Sequence, residues 1–528
     1  MRAWRLVKSM AILAVWGAVS LACSLTSAIA PTQVVTRQPP SPTTVAVTFA
    51  PVVTATISGA TGTPLPTADP CPQEAISPSR YTVATLVDLP KRRVTASVQA
   101  IYRNDTDRPL DTLVMLVDSN RVPGAFALAD LRGTDRTVVS QYTLTGPRLD
   151  IQLASPLEIG CSASLAFTFS LNVFKLEDAR LPYLAYTDNQ FNLGHWLPQF
   201  PPIMDGEWFI PREWTIGEYW TDGLGDYDVQ VRVMGDPHAI VIAPGDEERL
   251  SEDTWHFKLT DARSFTVAVS AAMSKLSTVT NSGMQVDLYY FTQGQPAKSP
   301  DGTPINGPQH ALDTAKAAAE QFTEWLGALP YHRLVVIEGD FRDGMEFSGI
   351  VYVGHRWFSE FDGKIDSWLT LITAHEVSHQ WWYSLVANDQ NAAPFLDEGL
   401  AIYSEVLYLQ AHYPELVPWW WTFRVKIFQP QGFVDAKADE FSSGRLYINA
   451  IYLRGALMLQ AIRETIGDEA FLSWLQRYTK NNREHIATLR NFWGAMNPDD
   501  YVRIGDIRRQ YLRDRDPLAS ALTPTPAG

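Results

Sequence analysis

The feature that most constrains the fold is a pair of histidines in an apolar stretch of the chain. His375 and His379 enclose Glu376 in the segment HEVSH. Residues four apart share one face of an α-helix, so both imidazoles can reach a single ion. The flanking side chains are apolar almost all round, which predicts a buried helix over residues 366–385. Buried histidines need polar partners, and a metal ion is one such partner.

A third candidate ligand follows nineteen residues after the second histidine. Glu398 lies in the segment LDEGLA, within a helix predicted over residues 397–408. A catalytic zinc takes three protein ligands and leaves the fourth position for water. His375, His379 and Glu398 meet that requirement, so we expect one zinc per chain. Glu376 would face the metal-bound water as its general base.

Glu405 is a candidate support for this site. It lies seven residues beyond Glu398, on the same face of the predicted helix. In that position it could accept a hydrogen bond from the free N–H of a ligand imidazole. The alternative is a surface carboxylate with no part in the site.

The beginning of the chain has the pattern of an export signal. Positive residues precede an uncharged apolar run, which predicts a signal peptide over residues 1–22. The run ends in SLAC, which is similar to a bacterial lipobox, so Cys23 is a candidate for lipidation. Residues 23–70 are rich in Thr and Pro and are predicted to form a disordered tether. We expect an exported protein, lipid-anchored on the outer face of a bacterial membrane; the alternatives are a secreted protein or an uncleaved anchor.

Two patterns of hydrophobic spacing divide the rest of the chain. Over residues 71–275, apolar and polar residues alternate, for example over residues 94–102, which predicts a β-rich N-terminal domain. Residues 276–515 shift to mainly helical spacing, and strands first with helices later is the order of an α+β fold. Residues 516–528 are predicted to be a disordered tail. Within 276–515 the patterns predict strands over residues 286–291, 334–337 and 350–353, and helices over residues 310–326, 366–385, 397–408 and 450–466.

Net charge and cysteine content bear on nucleic-acid binding and on cross-linking of the chain. The net charge of -15 argues against nucleic acid, whose binding calls for basic patches. In an exported chain, Cys71 and Cys161 are predicted to form a disulfide; the alternative is two buried thiols. No sequence feature indicates a particular oligomeric state.

The motifs together resemble those of the aminopeptidase N family of gluzincins. The family's zinc signature, HExxH followed after eighteen residues by Glu in a (N/D)EG(F/L)A context, is matched at residues 375–379 and 397–401. Its exopeptidase motif GxMEN is similar to GMEF at residues 344–347. Its Tyr-x-Lys-Gly-Ala segment is similar to YLRGA at residues 452–456. The resemblance covers roughly residues 80–510.

The resemblance implies a β-saddle domain followed by a thermolysin-like catalytic domain. It implies that Gly344, Met345 and Glu346 bind substrate, with Glu346 holding the free α-amine of a peptide. A carboxylate beside the metal selects an ammonium and so restricts cleavage to the first peptide bond. Tyr452 would hydrogen-bond the tetrahedral oxyanion, and Tyr447 is a nearby rival for that role. The resemblance therefore implies a zinc-dependent aminopeptidase acting on peptides.

The sequence departs from the family pattern at a few positions. Phe347 stands where the family has Asn, and Arg454 where it has Lys. No residue of the N-terminal half matches the family's second amine-binding residue. Two alternatives stay open: a thermolysin-like endopeptidase, and a catalytically silent cell-surface binding protein of the same fold.

Overall fold

The computed structural model describes residues 71, 78–178, 181, 183–296, 298–299 and 302–519. The predicted signal peptide, Cys23, the predicted tether and residues 520–528 of the predicted tail lie outside these residues. Within the described part, no helix is both long enough and apolar enough to cross a bilayer. Cys71 and Cys161 are disulfide-bonded.

Strands are numbered in chain order over the described residues. The strands of the first half are Ser79–Asp88 (β1), Arg93–Arg103 (β2), Leu110–Leu116 (β3), Phe126–Thr134 (β4), Val139–Thr145 (β5), Arg148–Leu157 (β6), Ser162–Asn172 (β7), Phe174–Lys175 (β8), Ala185–Tyr186 (β9), Phe191–Leu193 (β10), Ile203–Met204 (β11), Glu207–Trp208 (β12), Gly225–Met234 (β13), Ile240–Ile242 (β14), Asp246–Arg249 (β15), Thr254–Ala262 (β16) and Val267–Ser270 (β17). The later strands are Met273–Val279 (β18), Gln285–Phe291 (β19), Arg333–Gly339 (β20), Met345–Phe347 (β21), Ile350–Gly354 (β22), Ala387–Asn388 (β23) and Ile486–Ala487 (β24).

The α-helices of the described residues lie in the second half. They are Gly307–Leu326 (α1), His355–Ser359 (α2), Trp368–Ser378 (α3), Glu398–His412 (α4), Val417–Trp420 (α5), Gly444–Tyr447 (α6), Arg454–Ile466 (α7), Asp468–Asn482 (α8), Leu489–Gly494 (α9), Pro498–Arg503 (α10) and Gly505–Tyr511 (α11). Two π-helical turns, Trp421–Val425 and Ile448–Leu453, follow α5 and α6.

The first half is built on a seven-stranded sheet of order β15-β16-β13-β1-β2-β7-β4. Strand β2 shows why these segments form strands. Val94, Ala96, Val98, Ala100 and Tyr102 are buried while their neighbours are more exposed, which is the alternation predicted from the sequence. One face of the sheet therefore packs on a core.

The second half contains a five-stranded sheet of order β18-β19-β20-β22-β21. Its three central strands are parallel, and every residue of β20 and β22 is buried, as in a sheet covered on both faces. Helices α1 and α3 pack against each other and against this sheet. The edge strand β21 pairs antiparallel with β22. Most strands precede most helices along the described chain, and the predicted α+β class is confirmed.

The predicted helix over residues 366–385 is wrong beyond Ser378. Backbone N–H groups of Ser384, Leu385 and Val386 bond to carbonyls five residues earlier, and Tyr383 has φ of 143°. That φ is incompatible with an α-helix. The predicted helix over residues 450–466 likewise starts as an α-helix only at Arg454.

Candidate active site

Three predicted metal ligands come together where α3 ends and α4 begins. His375 lies in the last turn of α3, His379 directly follows that helix, and Glu398 is the first residue of α4. Glu398 Oε2 lies 3.3 Å from His375 Nε2 and 3.7 Å from His379 Nε2. Ligand atoms of a tetrahedral zinc stand roughly 3.4 Å apart, given bonds of about 2.0–2.1 Å. Two imidazole nitrogens and a carboxylate oxygen at this spacing fit a catalytic zinc.

Each of the two candidate ligand imidazoles forms a hydrogen bond through its Nδ1 atom to a buried carboxylate. His375 Nδ1 donates to Glu405 Oε1 at 3.2 Å, and His379 Nδ1 donates to Asp397 Oδ1 at 2.6 Å. These bonds leave the Nε2 lone pairs directed at the ligand cluster. Sequence reasoning proposed Glu405 for this position but missed Asp397, although Asp397 directly precedes a ligand.

Glu405 is fully buried, so the surface-carboxylate alternative does not hold. Besides His375, it accepts hydrogen bonds from Trp420 Nε1 at 2.7 Å and from Arg424 at 2.9 and 3.1 Å. Burial raises the pKa of Glu405, but the charge of Arg424 and the bond from His375 more than offset it and lower that pKa below its ordinary value. Glu405 is therefore a charged acceptor in the interior.

Glu376 points into the space beside the three ligands. Its carboxylate lies against the backbone of Gly344, and its Oε2 is buried with no hydrogen-bond partner among the described residues. Burial raises the pKa of Glu376 to about 7, despite the opposing charges of His375 and His379. A carboxylate with such a pKa suits proton transfer near neutral pH.

Glu346 faces the same space from the edge strand β21. Its carboxylate lies within 4.8 Å of ligand-type atoms of both Glu376 and His379. Burial raises the pKa of Glu346 well above its ordinary value, although His379 opposes the shift. Met345, the preceding residue, is buried and pairs with Tyr352 across the strand.

Tyr452 lies on the π-helical turn Ile448–Leu453 and reaches the metal ligands. Its ring is parallel to that of His375, with centroids 6.1 Å apart, and the phenol lies close enough to Glu398 for that carboxylate to raise its pKa. The ring of Tyr447 packs on the outer side of Tyr452 at 5.7 Å, with its hydroxyl against Gly217. Tyr452 thus stacks on a ligand imidazole, and Tyr447 packs on Tyr452.

The segment before β13 also reaches the site, which no sequence motif indicated. The carboxyl group of Glu218 lies close enough to the ligand Glu398 to influence its pKa. The backbone N–H of Trp220 donates to Gln390 Oε1 at 2.9 Å. Gln390 Nε2 in turn donates to Asp397 Oδ2 at 2.6 Å and to Glu346 Oε1 at 3.2 Å. A bridge of amide hydrogen bonds thus joins the first half of the chain to Glu346 and to the partner of His379.

Phe347 points away from the site, as alternation along a strand requires. It is fully buried between Tyr183, His195 and Tyr352, with ring centroids 5.3 to 6.1 Å away. A Cβ at Gly194 would stand 2.7 Å from the Phe347 ring. Phe347, which replaces a polar residue of the family pattern, therefore joins the edge strand to the first half of the chain.

Comparison with known proteins gives the same family as the motifs. The model of the peptidase family M1 domain matches residues 311–511. Aminopeptidase N of Lactobacillus delbrueckii subsp. lactis is 26% identical over 52% of this chain and 34% of its own length. Human endoplasmic reticulum aminopeptidase 2 is 26% identical over 42% of this chain and 24% of its own length. The chain therefore spans about a third or less of these two relatives.

Solved structures share the fold. The M1 zinc metallopeptidase from Deinococcus radiodurans aligns with a TM-score of 0.57 at 16% identity, over 86% of this chain and 94% of that one. A mutant of the same protein bound to a Tyr-Ser-Ala substrate aligns with a TM-score of 0.57 at 15% identity, over 82% and 93%. The predicted resemblance to the aminopeptidase N family and the predicted order of a sheet-rich region before a helical one are confirmed.

Proposed function

Because residues 311–511 carry a peptidase family M1 domain, we propose that this chain is a zinc-dependent aminopeptidase that hydrolyses the N-terminal peptide bond of peptides. The observation that carries the proposal is the position of Glu346, whose carboxylate lies within 4.8 Å of Glu376 and His379. A buried carboxylate beside a metal centre calls for a cationic partner. The free α-ammonium of a peptide is such a partner, and it would place the first peptide bond at the metal.

Glu376 would act as the general base. When held by His375, His379 and Glu398, zinc supplies a Lewis acid that activates water and polarises the scissile carbonyl. Glu376 takes the proton of the attacking water at its carboxylate and passes it to the leaving amine. The nearby backbone of Gly344 leaves room for the carboxylate because it carries no Cβ.

Tyr452 would stabilise the negative charge that develops on the carbonyl oxygen. Its parallel packing on His375 and its closeness to Glu398 support this role, since both place the phenol near the ligand cluster. A donor that meets this charge only in the transition state accelerates the reaction rather than merely tightening substrate binding.

Several acidic groups would favour binding of the peptide's N-terminal ammonium beside the metal. Glu346, Asp397 and Glu218 all lie beside the ligand cluster, and Glu218 comes from the first half of the chain. A concentration of negative charge in a dry cleft attracts a cation strongly. Glu218 is therefore our candidate for the second residue that binds the substrate's amine, for which the family motifs gave no match in the first half of the chain.

The proposal is tested with one peptide in two forms, with a free and with an N-acetylated amino terminus, each assayed with and without a chelator. We expect chelator-sensitive hydrolysis of the free form and at least tenfold slower hydrolysis of the acetylated form. Equal rates on both forms would identify the endopeptidase alternative. Zinc binding without hydrolysis of either form would identify the silent binding protein.

We also propose that the protein is exported and held on the outer face of a bacterial membrane by a lipid on Cys23. The support is the sequence pattern: an uncharged apolar run after basic residues, ending in SLAC. The Thr- and Pro-rich residues that follow would then separate the enzyme from the bilayer.

A further inference from the structure

We propose that Arg424 is a positioning residue that fixes the metal ligand His375 by clamping Glu405. The inference rests on the proposed function only in taking the bound ion to be zinc. Its basis is a continuous set of contacts from the π-helical turn Trp421–Val425 to the ligand imidazole.

The guanidinium of Arg424 grips the carboxylate of Glu405 with two hydrogen bonds. Arg424 Nε donates to Oε2 at 3.1 Å, and Nη2 donates to Oε1 at 2.9 Å. This bidentate geometry fixes the plane of a carboxylate as well as its position. Oε1 is also the atom that accepts the N–H of His375 at 3.2 Å. The orientation of the imidazole is thus set by a carboxylate whose own orientation is set by Arg424.

Trp420 completes the clamp. Its indole N–H donates to Glu405 Oε2 at 2.7 Å, and the ring is fully buried. With Arg424 and His375, four hydrogen bonds occupy a carboxylate that has about four acceptor sites. Glu405 therefore has no reason to rotate toward another donor, and His375 keeps its partner when the metal leaves.

Arg424 is itself fixed by stacking. Its guanidinium carbon lies 4.8 Å from the ring centroid of Trp368, the first residue of α3. Phe423 packs on the same Trp368 ring at 5.3 Å. One arginine thus contacts both the helix that carries His375 and the helix α4 that carries Glu405. Trp420 and Arg424 lie at the change from α-helical to π-helical backbone, a local feature that often marks functional positions.

The test measures zinc affinity rather than turnover. Metal-free wild type and Arg424→Met would be titrated with zinc against a chromophoric chelator. We expect the Kd of the variant to rise about 10-fold or more, the range for losing an outer-shell partner of a metal ligand. The absorption spectrum of the cobalt-substituted variant should also shift, because it reports ligand geometry.

Arg356→Met is the matched control. Arg356 also stacks on a tryptophan, Trp357 at 5.0 Å, and pairs with Glu360 at 2.9 Å, but it forms none of the bonds to Glu405. Its removal should leave the Kd for zinc unchanged. Arg424→Lys keeps the positive charge but cannot form the two parallel hydrogen bonds of the guanidinium. We therefore expect a Kd between those of wild type and Arg424→Met.

A purely structural role would lower the melting temperatures of the metal-free and zinc-loaded forms equally and leave the Kd within twofold of wild type. That result would overturn the proposal. If Arg424→Met does not fold, Trp420→Phe removes one donor to Glu405 while keeping an aromatic ring, and an unchanged Kd would count equally against the proposal. Combining Arg424→Lys with Glu405→Gln should raise the Kd by less than the product of the single effects. If wild type binds zinc but hydrolyses no peptide, the proposed function is rejected. The comparison of zinc affinities between wild type and the Arg424 variants would still test the role of Arg424.

Discussion

Gly344 lies so close to Glu376 that a Cβ at position 344 would stand 1.9 Å from the Oε1 of that carboxylate. The loop that leads into the edge strand β21 is therefore in direct contact with the proposed base. The absence of a side chain at residue 344 is what allows Glu376 to occupy its position.

Gly344→Ala should displace Glu376 without touching a metal ligand. A shift of about 1 Å in a reacting group can cost about 10²-fold in rate. We expect a loss of kcat near that size, with zinc content unchanged. Metal analysis and steady-state kinetics on the same preparation check this prediction. Full activity in the variant would show that the loop at residue 344 moves and Glu376 keeps its position.

Glu376→Gln should keep the zinc and lose most activity. Glutamine preserves the shape of the side chain but cannot accept the proton, and a general base contributes about 10²–10⁴-fold. Metal content and kcat measured on the same preparation test this. Turnover within a few-fold of wild type would mean that another residue serves as base.

Removal of the metal should abolish activity and lower the melting temperature. His375→Ala and His379→Ala each remove one of three ligands, so we expect zinc content well below one per chain. Chelation of wild type should destabilise it because a ligand that binds only the folded state stabilises that state. Zinc restored to chelated wild type should recover both properties, whereas full occupancy in either variant would remove the ligand assignment.

Glu346→Ala should act on substrates with a free amino terminus. Loss of one partner of a buried charge pair costs about 2–5 kcal/mol. We expect kcat/KM to fall accordingly on free-amine peptides and to change little on any N-acetylated peptide that the enzyme cleaves. A drop of the same size on both forms would mean that Glu346 supports the site without recognising the amine.

Cys23→Ser should move the protein from the membrane fraction to the soluble fraction when it is expressed in bacteria. The physical reason is that a lipid chain on this cysteine supplies the membrane affinity. Fractionation followed by immunodetection checks it. A wild-type protein found only in the soluble fraction would show that Cys23 is not an anchor.

Much of the site could be predicted because its spacing is local. The positions of His375 and His379 follow from the helical repeat, and the alternation of buried residues in β2 follows from the pleat of a strand. The part that could not be predicted depends on contacts between distant segments. Glu218 and Gln390 lie in stretches without a motif, and their roles appear only when the two halves of the chain pack together.

The errors in secondary structure have a similar origin. The apolar pattern continues past Ser378, so periodicity alone extends the helix to residue 385. The chain instead leaves the α-helix after Ser378 and changes direction at Tyr383, and the carbonyl of Trp382 lies within 3.1 Å of His379 Nδ1. The carbonyl at residue 382 is thereby directed to a metal ligand, a requirement that hydrophobic spacing does not encode.

Gln390 limits how the substrate-binding part of the site can change during evolution. A single amide nitrogen bonds both Glu346, which would read the substrate, and Asp397, which orients His379. A mutation that reshapes the amine end to accept a different class of substrate would therefore disturb the support of the metal at the same time. Changes in substrate preference should arise more readily from residues that do not touch this amide, and directed evolution for new substrates should rarely recover substitutions at residue 390.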